Sequence, residues 1–153
     1  MEWNRFVFPF SVIPDDIDGG FIVTFEDFPE AITQGETLED CMLQAEDCLE
    51  EAIAARLSRN ENIPLPSPPQ QEQFLALISA PMAAKAALHL AMREANVDAI
   101  GLADKMRGDE KTMMRLLSPR YASRISLIES ALKSLGKRLL ISTTNADRSE
   151  YNS

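Results

Sequence analysis

The chain has 153 residues, 45% of them hydrophobic, which is long enough for one domain or two small ones and too apolar for a wholly disordered protein. No apolar run approaches the roughly 20 residues that span a bilayer, and the N-terminus shows no signal peptide, so we expect a cytoplasmic protein. Residues 1–80 carry 16 acidic and 3 basic side chains, whereas residues 81–153 carry 8 acidic and 12 basic ones, which favours a different partner for each half.

The first 35 residues predict three β-strands. The segment RFVFPFSVIP (5–14) is rich in Val, Ile and Phe, and it indicates a strand that Pro9 interrupts or places at a sheet edge. After a turn that contains two glycines, FIVTF (21–25) alternates in a way that predicts a second strand, paired with the first as a hairpin. Residues 31–34 predict a short third strand.

A long amphipathic helix is predicted next. Thr37 is a good N-cap, and the apolar residues within 38–57 recur at spacings of three and four, with acidic side chains on the opposite face. Cys41 and Cys48 lie on this helix about 10 Å apart, which is too far for a disulfide. We therefore interpret both as small buried apolar groups.

The segment after this helix predicts a return to the sheet. Four prolines in residues 62–69 exclude a helix, and QFLALIS (73–79) predicts a fourth strand. The order β-β-β-α-β indicates an α+β domain in which the helix packs on the sheet. This domain is expected to end near residue 80, where the charge changes sign.

The second half predicts an all-α domain. A helix is expected over residues 82–95, followed by a short helix capped by Asp98 and another capped by Asp109. A final helix is expected to be capped by Ser123 and closed by Gly136.

The end of the chain predicts a short strand and a tail. Residues 138–142 are apolar enough for a strand that could serve as a dimer element, and the polar tail, 143–153, is expected to be flexible. The expected domains are therefore 1–80 and 81–142, followed by this tail.

Residues 99–119, AIGLADKMRGDEKTMMRLLSP, fit the spacing of a helix-turn-helix that binds the DNA major groove. Ala103 is the small residue where the two helices cross, and Asp109 caps the second helix. Apolar anchors are expected at Leu102, Met106, Met113, Leu116 and Leu117. The alternative is an ordinary helical hairpin with a solvated charged face.

The predicted DNA contacts follow from this register. Lys111 and Arg115 are four residues apart and suit guanine edges or phosphates, while Glu110 suits a cytosine amino group. Arg120 and Arg124 suit phosphates, which orient a domain without reading sequence. The full predicted set is Glu110, Lys111, Thr112, Met114, Arg115, Arg120 and Arg124. A homodimer or higher homo-oligomer is expected, because two recognition helices must reach half-sites about 34–36 Å apart.

The stretch GGFIVTFEDFPEAITQGETLEDCMLQAEDCLEEAI (19–53) resembles the N-terminal domain of HicB antitoxins. That family combines a Gly-Gly strand entry, an F-x-D-x-P turn and T-Q-G-x-T before an Ala- and Glu-rich helix. Residues 102–142 resemble the helix-turn-helix tail of one branch of the family. The resemblance covers residues 6–142. It departs at Pro-Glu-Ala (29–31), where the family often has Pro-Gly-Cys, and at Arg107-Gly108, where such motifs usually have Gly and then an aliphatic residue.

The resemblance implies a partial ribonuclease-H-like fold for the N-terminal domain and an antitoxin that represses its own operon by binding operator DNA. It also implies a partner, the HicA toxin, a small basic messenger-RNA-cleaving ribonuclease with a double-stranded-RNA-binding-like fold. The residues expected to contact this toxin, with acids in place of RNA phosphates, are Glu26, Asp27, Phe28, Pro29 and Glu30.

No catalytic, metal or cofactor site is expected. Glu26 and Asp27 are adjacent, so on a strand they point to opposite faces and cannot share a metal directly. The one histidine, His89, falls in an apolar helix, and we interpret it as a packing or surface residue. Two alternatives stay open from the residues alone: a transcriptional regulator whose N-terminal domain senses a ligand, and a metal-dependent ribonuclease-H-like nuclease.

Overall fold

The computed structural model describes residues 5–146 and has an α+β architecture, as predicted. Within these residues the chain forms two compact units, one made of 5–52, 64–78 and 142–146 and the other of 53–63 and 79–141. The elements in chain order are β1 (Val7–Pro14), β2 (Phe21–Thr24), β3 (Ile32–Gly35), α1 (Leu38–Ser58), β4 (Phe74–Leu77), α2 (Ala80–Ala95), α3 (Ala99–Met106), α4 (Glu110–Leu117) and α5 (Ile125–Ser134). The predicted β-β-β-α-β order of the first half is confirmed.

The sheet has the strand order β3-β2-β1-β4, with antiparallel pairing throughout. β1 pairs with β4 along residues 7–10 and with β2 along residues 11–14, so its two halves use different neighbours. Pro9, which has no N–H to donate, lies opposite Leu75 in the half that the β1–β2 ladder does not reach. Pro9 therefore neither interrupts β1 nor makes it an edge strand, and this prediction is wrong for the strand as a whole. Only the half that contains Pro9 has β4 as its single neighbour.

The hairpin between β1 and β2 is closed by the predicted turn. The Asp15 carboxylate accepts hydrogen bonds from the backbone N–H groups of Ile17 at 3.0 Å and Asp18 at 3.2 Å. Gly19 and Gly20 adopt φ values of 78° and 71°, which residues with a Cβ rarely adopt. The turn chemistry thus fixes the register of the first two strands.

Helix α1 begins at the predicted N-cap. The Thr37 hydroxyl accepts from the Asp40 N–H at 3.1 Å, and the Asp40 carboxylate accepts from the Glu36 N–H at 3.0 Å. Directly before this cap, a Cβ on Gly35 would lie 2.7 Å from the Cys41 sulfur. The glycine therefore allows the end of β3 to pack against the first turn of α1.

The core of the first unit lies between the sheet and α1. Cys41 is buried and Cys48 half-buried, both are free thiols, and burial raises the pKa of each. The predicted apolar role therefore holds fully for Cys41 and in part for Cys48. The buried residues of this core include Phe8, Phe10, Val23, Phe25, Phe28, Leu49 and Ala76.

The second unit is a cluster of short helices around its own core. Helix α2 begins at Ala80, two residues earlier than predicted, because Ser79 caps it and Pro81 fits the first turn. Asp98 caps α3 as predicted, accepting from the Gly101 N–H at 2.8 Å. The core consists of Ala84, Leu88, Ala91, Met92, Leu102, Ala103, Met113, Leu116, Ile128, Ala131 and Leu132.

Two predictions near the C-terminus are wrong. Ser123 does not cap α5, because this helix starts at Ile125 with Arg124 in the N-cap position and no side-chain cap hydrogen bond. Residues 138–142 form no strand in the described chain, since a strand needs a pairing neighbour. Leu140 and Ile141 are instead 77% and 73% exposed. Most of the predicted flexible tail, 147–153, lies outside the described residues.

Candidate functional surfaces

The turn after β2, residues 26–30, combines buried and exposed side chains. Phe28 is fully buried, with its ring edge-on to Phe8 at a centroid distance of 4.9 Å. A ring in this position cannot touch a partner, so the predicted role of Phe28 as a contact is corrected to support of the turn from within. Phe25 is buried as well and packs against Phe10, with centroids 5.5 Å apart.

Asp27 ties this turn to the proline-rich segment before β4. One carboxylate oxygen accepts from the Ser67 N–H at 2.9 Å, and the other accepts from the Ser67 hydroxyl at 2.5 Å. Both oxygens are therefore engaged within the first unit. The geometry gives Asp27 a structural role that its sequence position did not reveal.

Glu26, Pro29 and Glu30 are the exposed residues of the turn, and we call them the acidic turn. Phe28 supports the turn from the core and Asp27 anchors its side. Two carboxylates on a supported turn can accept charge-assisted hydrogen bonds from Arg or Lys without a large cost of ordering.

The second surface is built on α3 and α4. These helices are joined by residues 107–109, and they pack through Ala103, Met113 and Leu116, which are 6%, 2% and 1% exposed. Leu102 is also buried, while Met106 and Leu117 are partly buried against the same core. The predicted anchors therefore all face inward.

The turn between α3 and α4 is closed by Arg107 in a left-handed conformation with φ 54°. The Arg107 N–H donates to the Asp104 carbonyl at 3.3 Å, and the Gly108 N–H donates to the Ala103 carbonyl at 2.9 Å. This is the hydrogen-bond pattern of a helix end that usually has glycine in the left-handed position. Arg107 takes that position instead, and α4 still begins directly after the predicted cap, Asp109.

Asp109 caps α4 as predicted. Its carboxylate accepts from both the Thr112 N–H at 2.7 Å and the Thr112 hydroxyl at 2.8 Å. These bonds, the backbone one first, hold the pKa of Asp109 below its ordinary value. Thr112 was predicted to contact DNA, and its hydroxyl is engaged by the cap in this structure.

The residues predicted to contact DNA are all exposed, and we call this set the α4 face. Met114 is 56% exposed, and the Arg115 guanidinium lies over the Tyr121 ring at 5.9 Å from its centroid. Arg124 is the N-cap residue of α5. The exposed set is Glu110, Lys111, Thr112, Met114, Arg115, Arg120 and Arg124. The set has four basic groups: Lys111 lies in the first turn of α4, Arg115 lies in its last turn, and Arg120 and Arg124 follow its end.

Lys85 and Tyr121 are two residues near the α4 face that sequence reasoning missed. Lys85 is only 5% exposed, and its ammonium group donates to the backbone carbonyls of Arg115, Ser118 and Tyr121. Desolvation by burial lowers the pKa of Lys85. The available signal was a single lysine within the otherwise apolar start of α2.

His89 contacts the segment that follows α1, within the second unit. Its Nε2 atom lies 2.7 Å from the Glu61 carbonyl oxygen, and one turn further Arg93 donates to the Asn60 carbonyl at 2.8 Å. Burial lowers the pKa of His89. These contacts agree with the predicted packing role.

Among residues 5–146, no three His, Cys, Asp or Glu side chains are grouped so that they could hold a metal ion. The helices of this part of the chain are all too short or too polar to cross a membrane.

Comparison with known proteins gives one consistent family. A family model of HicB-like antitoxins of bacterial toxin–antitoxin systems matches residues 7–87. The chain is similar to Antitoxin HicB of Escherichia coli K12, with 33% identity over 132 residues, 86% of this chain and 95% of that protein. It is also similar to Antitoxin HicB 1 of Photorhabdus laumondii, with 30% identity over 88% of this chain and 85% of that protein. Antitoxin HicB of Pseudomonas fluorescens is 28% identical over 92% of this chain and 97% of that protein.

Proposed function

The chain belongs to the family of HicB-like antitoxins of bacterial toxin–antitoxin systems, and on that premise we propose that it acts through two separate surfaces. The acidic turn binds and blocks a HicA-like ribonuclease toxin. The α4 face binds operator DNA and represses the operon that encodes both proteins. Neither role requires a metal, a cofactor or catalysis by this chain.

Toxin binding is supported by the charge and the anchoring of the acidic turn. Residues 1–80, with 16 acidic and 3 basic side chains, would attract a basic ribonuclease and raise the association rate. Glu26 and Glu30 then take the places of RNA phosphates, and Pro29 supplies apolar contact between them. Asp27 acts indirectly, by holding the turn to Ser67.

A matched pair of charge reversals tests this surface. Glu26→Lys with Glu30→Lys should weaken binding to a HicA-like toxin by about tenfold or more, because like charges then face each other. Asp16→Lys with Asp18→Lys is the control, since it changes the net charge equally at the other end of β2. Equal losses in both variants would mean that only net charge matters, and would remove the acidic turn from the interface.

Operator binding is carried by one observation: all seven residues predicted to contact DNA are exposed around a short, side-chain-capped helix whose other face is buried. We propose that α3 and α4 are a helix-turn-helix and that α4 enters the major groove. Lys111 and Arg115 contact base edges or phosphates, and Arg120 and Arg124 contact phosphates. Reading two half-sites requires a homodimer, for which the segment 138–142, with Leu140 and Ile141 exposed, is the proposed contact.

The DNA proposal is tested on the segment immediately upstream of the chain's own gene. Lys111→Ala with Arg115→Ala should lower affinity by about 30-fold or more, since each such contact contributes about 1–3 kcal/mol. Lys133→Ala with Lys137→Ala removes the same charge from α5 and the residues after it, and should have a much smaller effect. Toxin binding should be unchanged in both. Loss of toxin binding together with DNA binding would contradict two separate surfaces.

Two further assignments follow from the family resemblance. We propose that residues 1–80 form the toxin-binding part and residues 81–142 the DNA-binding part. We also propose that the four-stranded sheet, with one helix before its last strand, is a reduced ribonuclease-H-like domain that has kept binding and not catalysis. An RNA-cleavage assay with this chain alone should show no activity, and addition of this chain should suppress cleavage by the toxin.

A further inference from the structure

We infer that Lys85 is a positioning residue for the α4 face: its ammonium group holds the C-terminal end of α4 and the loop 118–121 in one arrangement, and so sets where Arg115 and Arg120 can reach DNA. This inference rests on the proposed operator binding. No DNA contact is assigned to Lys85 itself.

The geometry places the ammonium group at the meeting point of three backbone carbonyls. It donates to the Arg115 carbonyl at 3.5 Å, to the Ser118 carbonyl at 2.5 Å and to the Tyr121 carbonyl. The first carbonyl belongs to α4 and the other two to the loop, so one side chain from α2 connects both. A lysine has three N–H donors and no acceptor, which matches this set of three acceptors.

The first residue of the loop is held to α4, because the Ser118 N–H donates to the Met114 and Arg115 carbonyls at 3.1 and 3.2 Å, but the rest of the loop has weaker bonds. Its own hydrogen bonds are long: the Tyr121 N–H donates to the Ser118 carbonyl at 3.4 Å, and the Arg120 N–H donates to the Ser118 hydroxyl at 3.3 Å. Lys85 adds charge-assisted bonds to both ends of this turn, and such bonds are roughly twice as strong as neutral ones. A cation at the C-terminal end of α4 is also favoured by the helix dipole.

Two groups of the α4 face depend on this arrangement. Arg120 lies inside the loop, between two residues whose carbonyls Lys85 binds. Arg115 lies over the Tyr121 ring, so the orientation of its guanidinium follows the position of Tyr121. Both the proposed phosphate contact and the proposed groove contact are therefore connected to a residue that is itself 5% exposed.

The test compares Lys85→Met, which keeps the length of the side chain and removes the donors, with Lys85→Arg, which keeps the charge. Amide hydrogen exchange of the full chain without DNA should show faster exchange at residues 118–121 in Lys85→Met and a smaller change in Lys85→Arg. Affinity for the upstream DNA segment should fall about tenfold in Lys85→Met, and the slope of log affinity against log salt should decrease by about 1 as a phosphate contact is lost.

Met92→Ala is the matched control, because Met92 lies on the same helix and in the same core, and its thioether has no N–H to donate to the loop carbonyls. Each variant is measured at a temperature where circular dichroism shows it to be folded. An equal loss of affinity in Met92→Ala would attribute the effect to stability and overturn the inference, as would wild-type exchange and affinity in Lys85→Met. If the wild-type chain does not bind the DNA segment, operator binding itself fails, and the positioning role fails with it whatever the exchange data show.

Discussion

Arg107, the residue that closes α3, gives a direct test of the turn between α3 and α4. Its φ of 54° is left-handed, and such a conformation costs a residue with a Cβ about 1–2 kcal/mol. Glycine avoids this cost but loses about 0.5–1 kcal/mol more conformational entropy on folding. The balance predicts that Arg107→Gly raises the free energy of unfolding by about 0.5–1 kcal/mol. For a unit of this size, that corresponds to a rise of about 2–8 °C in Tm.

Arg107→Ala separates the backbone effect from loss of the arginine side chain. Alanine removes the same guanidinium but keeps a Cβ, so its Tm should stay close to that of the wild type. Calorimetric melts of the wild-type chain and both variants, at one protein concentration, give the comparison. If Arg107→Gly melts no higher than Arg107→Ala, the left-handed residue stores no strain and the reasoning about this turn is refuted.

Three further changes test other contacts. Asp27→Ala should lower the free energy of unfolding by about 1–3 kcal/mol, because the hydrogen bonds to Ser67 are lost. In urea titrations the double variant with Ser67→Ala should lose less than the sum of the two single losses, and full additivity would contradict a shared contact. Burial lowers the pKa of His89 below the ordinary histidine value of 6.5, so near and below pH 6.5 the unfolded chain binds more protons than the folded chain and the stability should fall as the pH drops. A His89→Gln variant should show a flatter profile of Tm against pH, and a profile identical to that of the wild type would exclude His89 as the cause. Because the pKa of Asp109 is lowered in the folded chain, its cap contributes its full stability above pH 3.8, and this contribution is lost as the pH falls through the lower pKa of the folded state. Asp109→Asn should keep the helix signal of α4 at neutral pH and remove this acid dependence of stability, whereas an unchanged acid dependence would show that another group causes it.

The features that the sequence predicted correctly are those set by neighbours along the chain. A side-chain cap joins residues three apart, so Thr37, Asp98 and Asp109 could be recognised without knowing the fold. The hairpin turn with Gly19 and Gly20 is equally local. Alternation in residues 21–25 and helical spacing in α1 then predicted the faces that are buried.

The wrong predictions depend on partners far along the chain or on none at all. Phe28 follows an acidic pair in a turn, which suggests exposure, yet contact with Phe8, twenty residues earlier, buries it. The segment 138–142 has the composition of a strand but lacks a pairing neighbour within the described chain. Lys85, for which no prediction was made, was missed for the same reason: a charge is usually at the surface, and its burial is tolerated because three carbonyls converge on it.

The change in charge and the division of packing do not coincide in this chain. Charge changes sign near residue 80, but residues 53–63 belong to the compact unit of α2 to α5. Ile53 and Ile63 are fully buried, and the carbonyls of Asn60 and Glu61 bond to Arg93 and His89. Charge is a property of the surface and can change between neighbouring residues, whereas packing follows the apolar side chains. A DNA-binding fragment cut at residue 81 would therefore lose part of its own packing, so the two proposed activities are better separated by point substitutions than by truncation.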